Sequence, residues 1–308
     1  MRAINTLVAD IYTVLEKGTA KIDAIKLANM IKARLEENKS STTDVLRMSK
    51  LGEKCARKLW TAANKPETAE RLPGHTLLKF LIGDIHEEVV LSLAEASGHK
   101  VEARQETVTL NGVTGHLDAV IDGVLVDVKS ANSRGMHKFK DHKLESDDPF
   151  GYMDQLGAYA EASKDDPRVQ VKGEVAFLAS DKELGHLVLD KYKKPEKDWL
   201  KVITRLRGIL AEKDPPKRHY MAQPDGSSGN MKLPMECTYC QYKTECWKNA
   251  NNGRGLRKFL YSSGPRWLTH VEREPREGLE VPNVQGMQET IQDTQLGQGS
   301  ARAPEEGQ

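Results

Sequence analysis

Apolar positions along this chain follow two periods. Ile4, Leu7, Val8, Ile11, Val14 and Leu15 recur at helical spacing until Gly18. Ile22, Ile25, Ala28, Ile31 and Leu35 repeat the pattern to about Asn38. The spacing predicts a helical hairpin over residues 1–40 that caps the main domain or serves oligomerisation. A polar break at Lys39–Thr43 carries good N-capping residues. A helix over Asp44–Trp60, containing Cys55, is expected next, then a loop over Pro66–Gly74. Thr76–Ala96 reads as a long helix with Leu77, Leu78, Leu81, Ile85, Val89 and Leu93 on its buried side.

The period then changes to two. Val101–Leu110 reads as a strand, and Asn111-Gly112 and Asp122-Gly123 favour two-residue hairpin turns, so a three-stranded meander is expected. Folding at Asp122-Gly123 sets Ile121 opposite Val124, Val120 opposite Leu125, Ala119 opposite Val126 and Asp118 opposite Asp127. One face then carries Leu117, Ala119, Ile121, Val124, Val126 and Val128; the other carries His116, Asp118, Val120, Leu125, Asp127 and Lys129. Ser130–Pro149 reads as a mobile polar loop, with Arg134, Lys138, Lys140 and Lys143 in it. A helix over Phe150–Ser163, strands over Lys172–Ala179 and Gly185–Leu189, and a helix from Trp199 to Leu210 follow. Gln223–Pro234 reads as a loop. Tyr12, Trp60, Trp199 and Trp267 are assigned to the core. The class is α/β, a mixed central sheet flanked by helices, with the main domain over residues 41–270.

Composition narrows the setting. The chain has 308 residues, 38% hydrophobic and 30% charged, with no apolar run approaching the roughly 20 residues that span a membrane. Met1–Lys17 lacks the pattern of a secretory leader, so a cytoplasmic protein is expected, with no membrane partner. Four cysteines in such a compartment do not read as structural disulfides. The net charge of +1 hides a split: residues 271–308 hold eight acidic and three basic side chains, whereas Asp190–Tyr220 holds ten basic and five acidic. The basic body suits a polyanion or is simply a solvated helix face. The tail, rich in Gln, Glu, Gly and Pro, is expected to be disordered. It either solubilises the protein or binds a partner.

Two features carry chemistry. Like charges directly opposite one another on paired strands are destabilising. Asp118 and Asp127 therefore call for a cation, and oxygen donors suit magnesium or manganese; Lys129 points the same way. The plainer alternative is an exposed hairpin whose charges splay outward. The second feature is Cys237-x2-Cys240-x5-Cys246 with a distant Cys55. Such thiols suit zinc or a [4Fe–4S] cluster, or are unrelated buried cysteines.

Taken in order, the motifs resemble those of the RecB-type PD-(D/E)XK nucleases, above all the iron–sulfur branch: the CRISPR-associated exonucleases, their phage relatives and the AddB nuclease domain. The likeness spans about Asp44 to Trp247 and rests on Gly83-Asp-Ile-His86, Gly115-His-Leu-Asp118, Asp127-Val-Lys129, Gln155-Leu-Gly-Ala-Tyr159 and the four cysteines. It implies a restriction-endonuclease-like sheet with a cysteine clasp. It implies too that Asp118, Asp127, His86 and the Val128 carbonyl hold Mg2+ or Mn2+, while Lys129 positions or deprotonates the attacking water. Gln155 would orient Lys129 or the phosphate, and Tyr159 would touch nucleic acid. Cys55, Cys237, Cys240 and Cys246 would hold a [4Fe–4S] cluster.

The expected activity is that of a metal-dependent DNA exonuclease on single-stranded or frayed ends, with Arg134, Lys138 and Lys140 on the phosphate backbone. The alternatives are a non-catalytic, cluster-stabilised DNA-binding recombination factor and an endonuclease on flapped or branched DNA. A ring-shaped homo-oligomer would fit processive digestion, and the resemblance further implies a recombination or replication partner for the tail and, if the chain is phage-encoded, work in the host cytoplasm.

Overall fold

Asn111-Gly112 and Asp122-Gly123 both adopt the left-handed backbone of a two-residue hairpin turn, with φ of 47° and 74° at the first and 48° and 83° at the second. Around these turns a computed structural model describes residues 2–36 and 46–282. The end of the second predicted helix, the Lys39–Thr43 break and the tail from 283 onward lie outside the described residues. The chain divides into two compact units. One comprises Met1–Ala63 with Leu78–Pro216, the other Asn64–Leu77 with Lys217–Gln308.

The first unit begins with helices α1 (Leu7–Glu16), α2 (Ala24–Glu36) and α3 (Ala56–Asn64), and α4 (Gly74–Ala96) enters it at Leu78. Strands β1 (Val101–Glu102), β2 (Thr107–Leu110), β3 (Val113–His116), β4 (Ala119–Ile121) and β5 (Val124–Ala131) follow. Helices α5 (Ser133–Lys140) and α6 (Tyr152–Ala162) lead to β6 (Glu174–Asp181), β7 (Leu187–Lys193) and α7 (Trp199–Ala211). The sheet runs β1-β4-β5-β6-β7, with β5 and β6 parallel and the other pairs antiparallel. A parallel pair needs a crossover, and the α5–α6 segment supplies it. This is the mixed α/β sheet flanked by helices that the hydrophobic pattern predicts.

The hairpin register is as read: Ala119 pairs with Val126, Val120 with Leu125 and Ile121 with Val124. Both faces of the sheet are covered. Ala119, Ile121, Val124, Val126 and Val128 pack with Leu7 and Ile11 of α1 and Val90, Leu91 and Ala94 of α4. Val120, Leu125, Phe177 and Tyr192 pack with Met136, Phe139, Leu156, Ile203 and Leu206 of α5, α6 and α7. The N-terminal helix is therefore part of this core.

Five expectations are corrected. The Val101–Leu110 strand breaks at Ala103–Glu106, so β1 joins β4 while β2 and β3 form a separate two-stranded sheet. Ala103 and Gln105 both have positive φ there, which interrupts the extended run. Leu117 lies between β3 and β4 and packs with the α6 side, because the alternation loses phase across that gap. Ser130–Pro149 is loop only from Asp141 onward: β5 runs to Ala131, and α5 forms because Met136 and Phe139, three apart, bury one stripe and leave Arg134 and Lys140 exposed. On α4 the apolar side is misassigned, since Leu77, Leu78 and Leu81 are exposed. Of the helix expected over Asp44–Trp60, the described residues show a single 3-10 turn at Met48–Lys50 and then α3 from Ala56.

The second unit holds β8 (Gln223–Pro224), β9 (Met231–Lys232), the short helices α8 (Met235–Thr238) and α9 (Lys243–Cys246), and β10 (Arg257–Tyr261), β11 (Gly264–His270) and β12 (Leu279–Val281). Its sheet order is β12-β10-β11-β9-β8. The stretch after Val271, read as the start of a disordered tail, is tied down as far as Pro282. Buried Asn230 accepts from the Glu272 and Arg273 amides, and Arg257 pairs with Glu274 and Glu280. Among the described residues no helix is long and apolar enough to cross a membrane.

Candidate active site

The β4–β5 hairpin brings the two carboxylates together. Asp118 sits one residue before β4, and its Oδ2 accepts from the Val128 amide at 2.7 Å. That bond turns the Asp118 side chain toward β5, where Asp127 lies two residues before Lys129. Asp127 is 2% exposed. Its Oδ1 accepts from Gln155 Nε2 at 3.3 Å, and its Oδ2 pairs with the Lys129 ammonium. Burial, reinforced by the charge of Asp118 and opposed by Lys129, pushes the Asp127 carboxyl up to about 7. Burial works against the Lys129 ammonium, but Asp127 and Asp118 outweigh it and its pKa is raised.

Helix α6 supplies the lid of this cluster. Gln155 and Tyr159 stand one turn apart, and Gln155 Nε2 also donates to the Tyr159 hydroxyl at 3.4 Å. Tyr159 is 5% exposed, and burial raises its pKa. The expected contact with nucleic acid does not suit a ring enclosed in the core; its place is a packing one, holding Gln155 beneath the sheet. Tyr152, on the same helix, lies with its ring centroid 5.1 Å from Lys129 Nζ.

Helix α4 contributes differently from the expectation. His86 Nε2 contacts Ser180 Oγ at 2.6 Å, near Lys182, and burial followed by the Lys182 charge lowers its pKa. It thus contacts the end of β6. Its neighbour Glu87 is the group that feels the carboxylates. Burial first, then the charge of Asp118, pushes its carboxyl up to about 9. Arg34 of α2 pairs with Glu87 at 2.8 Å, and Gln105 Nε2 bridges Glu87 Oε1 to Asp118 Oδ1.

Glu87, Gln105, Arg34 and Tyr152 were not found from the sequence. Glu87 carried a faint signal, an acidic residue beside the His86 motif; the others become legible only through contacts between distant elements. Arg134 and Lys140 are exposed on α5, and Lys138 pairs with Asp147 at 3.0 Å.

Cys237 lies in α8, Cys240 just after it and Cys246 at the end of α9, all in the second unit; Cys55 precedes α3 in the first. All four are partly buried. Among the described residues no three His, Cys, Asp or Glu side chains stand close enough together to hold a metal ion.

No protein-family model matches the chain, and no curated protein does. Among solved structures, the crystal structure of SSO0001 aligns at 13% identity over 71% of this chain and 92% of that chain, with a TM-score of 0.38, a likeness too slight to carry an argument.

Proposed function

We propose that this protein is a divalent-metal-dependent DNA nuclease, acting as an exonuclease on single-stranded or frayed ends in recombination, repair or end processing. The observation that carries the reading is the buried Asp127 carboxylate between Asp118 and Lys129. A structural ion pair needs one carboxylate, whereas a second, Asp118, stands beside this one and raises its pKa. The element order supports the same reading: a long helix, antiparallel strands, a crossover helix and a parallel strand resemble the restriction-endonuclease-like core that the motifs imply.

Hard oxygen donors at Asp118, Asp127 and the Val128 carbonyl fit Mg2+ or Mn2+. Such an ion would supply Lewis-acid activation of water and offset charge growing on the phosphate. The protein's own groups prepare the place for it. The Val128 amide and Gln105 fix Asp118, and Gln155 fixes Asp127. Lys129, held protonated by both carboxylates, favours orienting water and stabilising a phosphate oxygen over taking a proton. His86, engaged with Ser180, serves better as a polar contact at the strand ends than as a ligand. Cys237, Cys240 and Cys246 of the second unit are soft donors of the kind that a [4Fe–4S] cluster or zinc takes.

The test is degradation of end-labelled linear single-stranded DNA with Mn2+ or Mg2+, native protein against Lys129→Ala. Metal-dependent loss of label by the native protein alone is the expected result. No hydrolysis by either protein, with DNA binding retained, would replace the enzyme by a non-catalytic DNA-binding platform. Digestion of a covalently closed single-stranded circle would replace the exonuclease by an endonuclease.

A further inference from the structure

We propose that the His142 ring is a stacking platform for a base of single-stranded DNA, on the same face of the sheet as Asp127 and Lys129. The inference rests on the nuclease reading above and extends it to how the strand is held.

Three observations meet at His142. The first is its backbone. Helix α5 ends with the Lys143 amide donating to the Lys138 carbonyl at 2.8 Å and the His142 amide to the Phe139 carbonyl at 3.4 Å. That closure demands a left-handed residue, usually glycine, and His142 takes it with φ of 53°. A side chain kept at a position that disfavours one points to a use for the side chain.

The second is how the ring is held. His142 Nδ1 contacts buried Asp190 Oδ1 at 2.6 Å, while the Tyr192 hydroxyl donates to Asp190 Oδ2 at 2.6 Å. The ring lies flat on Tyr192, centroids 4.1 Å apart and planes within 9°. One edge and one face are therefore fixed, yet 55% of the side chain is exposed. An exposed, pre-oriented aromatic face is what sequence-tolerant single-strand binding uses.

The third is its place. Asp127 pairs with Phe177 on β6, and Phe177 pairs with Asp190 on β7. Asp190 thus lies two strands from Asp127 in one cross-strand row, about 10 Å away. A file of rings joins the two: Tyr152 beside Lys129, Phe177 at 6.3 Å from Tyr152, Tyr192 at 6.0 Å from Phe177, then His142. The exposed Arg134 and Lys140 of α5 stand on the helix that leads into His142 and can follow the phosphates.

The competing role is purely structural, a donor for Asp190; it needs the Nδ1 atom and has no need of the ring. The full chain in EDTA is therefore titrated against a labelled oligothymidylate by fluorescence anisotropy, comparing native protein with His142→Gln, His142→Ala and His142→Phe. A parallel titration uses an abasic strand of the same length. Stacking predicts that Gln and Ala weaken binding about tenfold, that Phe retains it, and that all four proteins bind the abasic strand alike. His142→Gln binding as tightly as native, or a deficit of the Gln and Ala variants that persists on the abasic strand, would overturn the platform. Failure of the native protein to bind either strand would overturn the nuclease reading and this inference with it.

Discussion

The Tyr159 ring fills the space that a side chain on Gly115 would need: a Cβ there would stand 2.5 Å from Tyr159 Cε1 and 2.8 Å from Met48 Cβ. The glycine of the first carboxylate motif and the tyrosine of the glutamine motif are two halves of one contact. Gly115→Ala should therefore cost about 1–3 kcal/mol by overpacking and shift α6, moving Gln155 off Asp127. Urea denaturation reads the first effect. A variant as stable as the native protein would mean that α6 can withdraw freely.

Stability without added metal should fall as pH rises. Asp127 and Glu87 titrate near 7 and 9 in the folded chain, above their ordinary values of 3.8 and 4.5. The folded state thus binds protons more tightly than the unfolded one. Their contribution is whole below about pH 4 and is lost as pH climbs through 7 and then 9. Tm measured from pH 5 to 9 should decline, and Asp127→Asn should flatten the decline. Added Mn2+ at pH 8 should raise the native Tm and leave that of Asp127→Asn little changed.

Asp127→Ala should abolish hydrolysis while DNA binding survives, because the proposed backbone contacts Arg134 and Lys140 lie on α5. Glu87→Gln should reduce hydrolysis less, by about tenfold, since Glu87 touches the cluster through Gln105 and charge rather than through the hairpin. Paired gel-shift and cleavage assays separate the two. Undiminished cleavage by Asp127→Ala would remove the metal site from this hairpin.

Protein purified without oxygen should be brown and carry about four iron and four sulfide per chain. Elemental analysis checks this. A colourless protein with stoichiometric zinc would keep the thiols as ligands and discard the cluster. Cys240→Ser should lose the bound metal in either case.

The central hairpin was legible because its information is local: two Asx-Gly dipeptides fix both turns, and strict alternation from Ala119 to Val128 fixes the register. Helix α6 was legible for a similar reason, with Gln155 and Tyr159 one turn apart. Helix α5 was hidden because only Met136 and Phe139 mark its buried stripe among polar neighbours. The first half of α4 misled because Leu77, Leu78, Phe80, Leu81 and Ile82 are apolar on every side, so periodicity cannot say which side is buried. Glu87 is a site residue only by virtue of Asp118, some thirty positions away, and no local pattern records that.

The parallel pairing of β5 with β6 has a consequence for how the molecule assembles. The two-residue turn at Asp122-Gly123 closes at little cost in chain entropy, whereas joining β5 to β6 closes the whole α5–α6 crossover. Asp118 and Asp127 therefore meet while both are still hydrated, and their charges are stripped of water only when α6 docks. The unfavourable part of building the site is deferred to the late, non-local step, which makes that step, rather than hairpin formation, the one at which a bound ion would speed refolding.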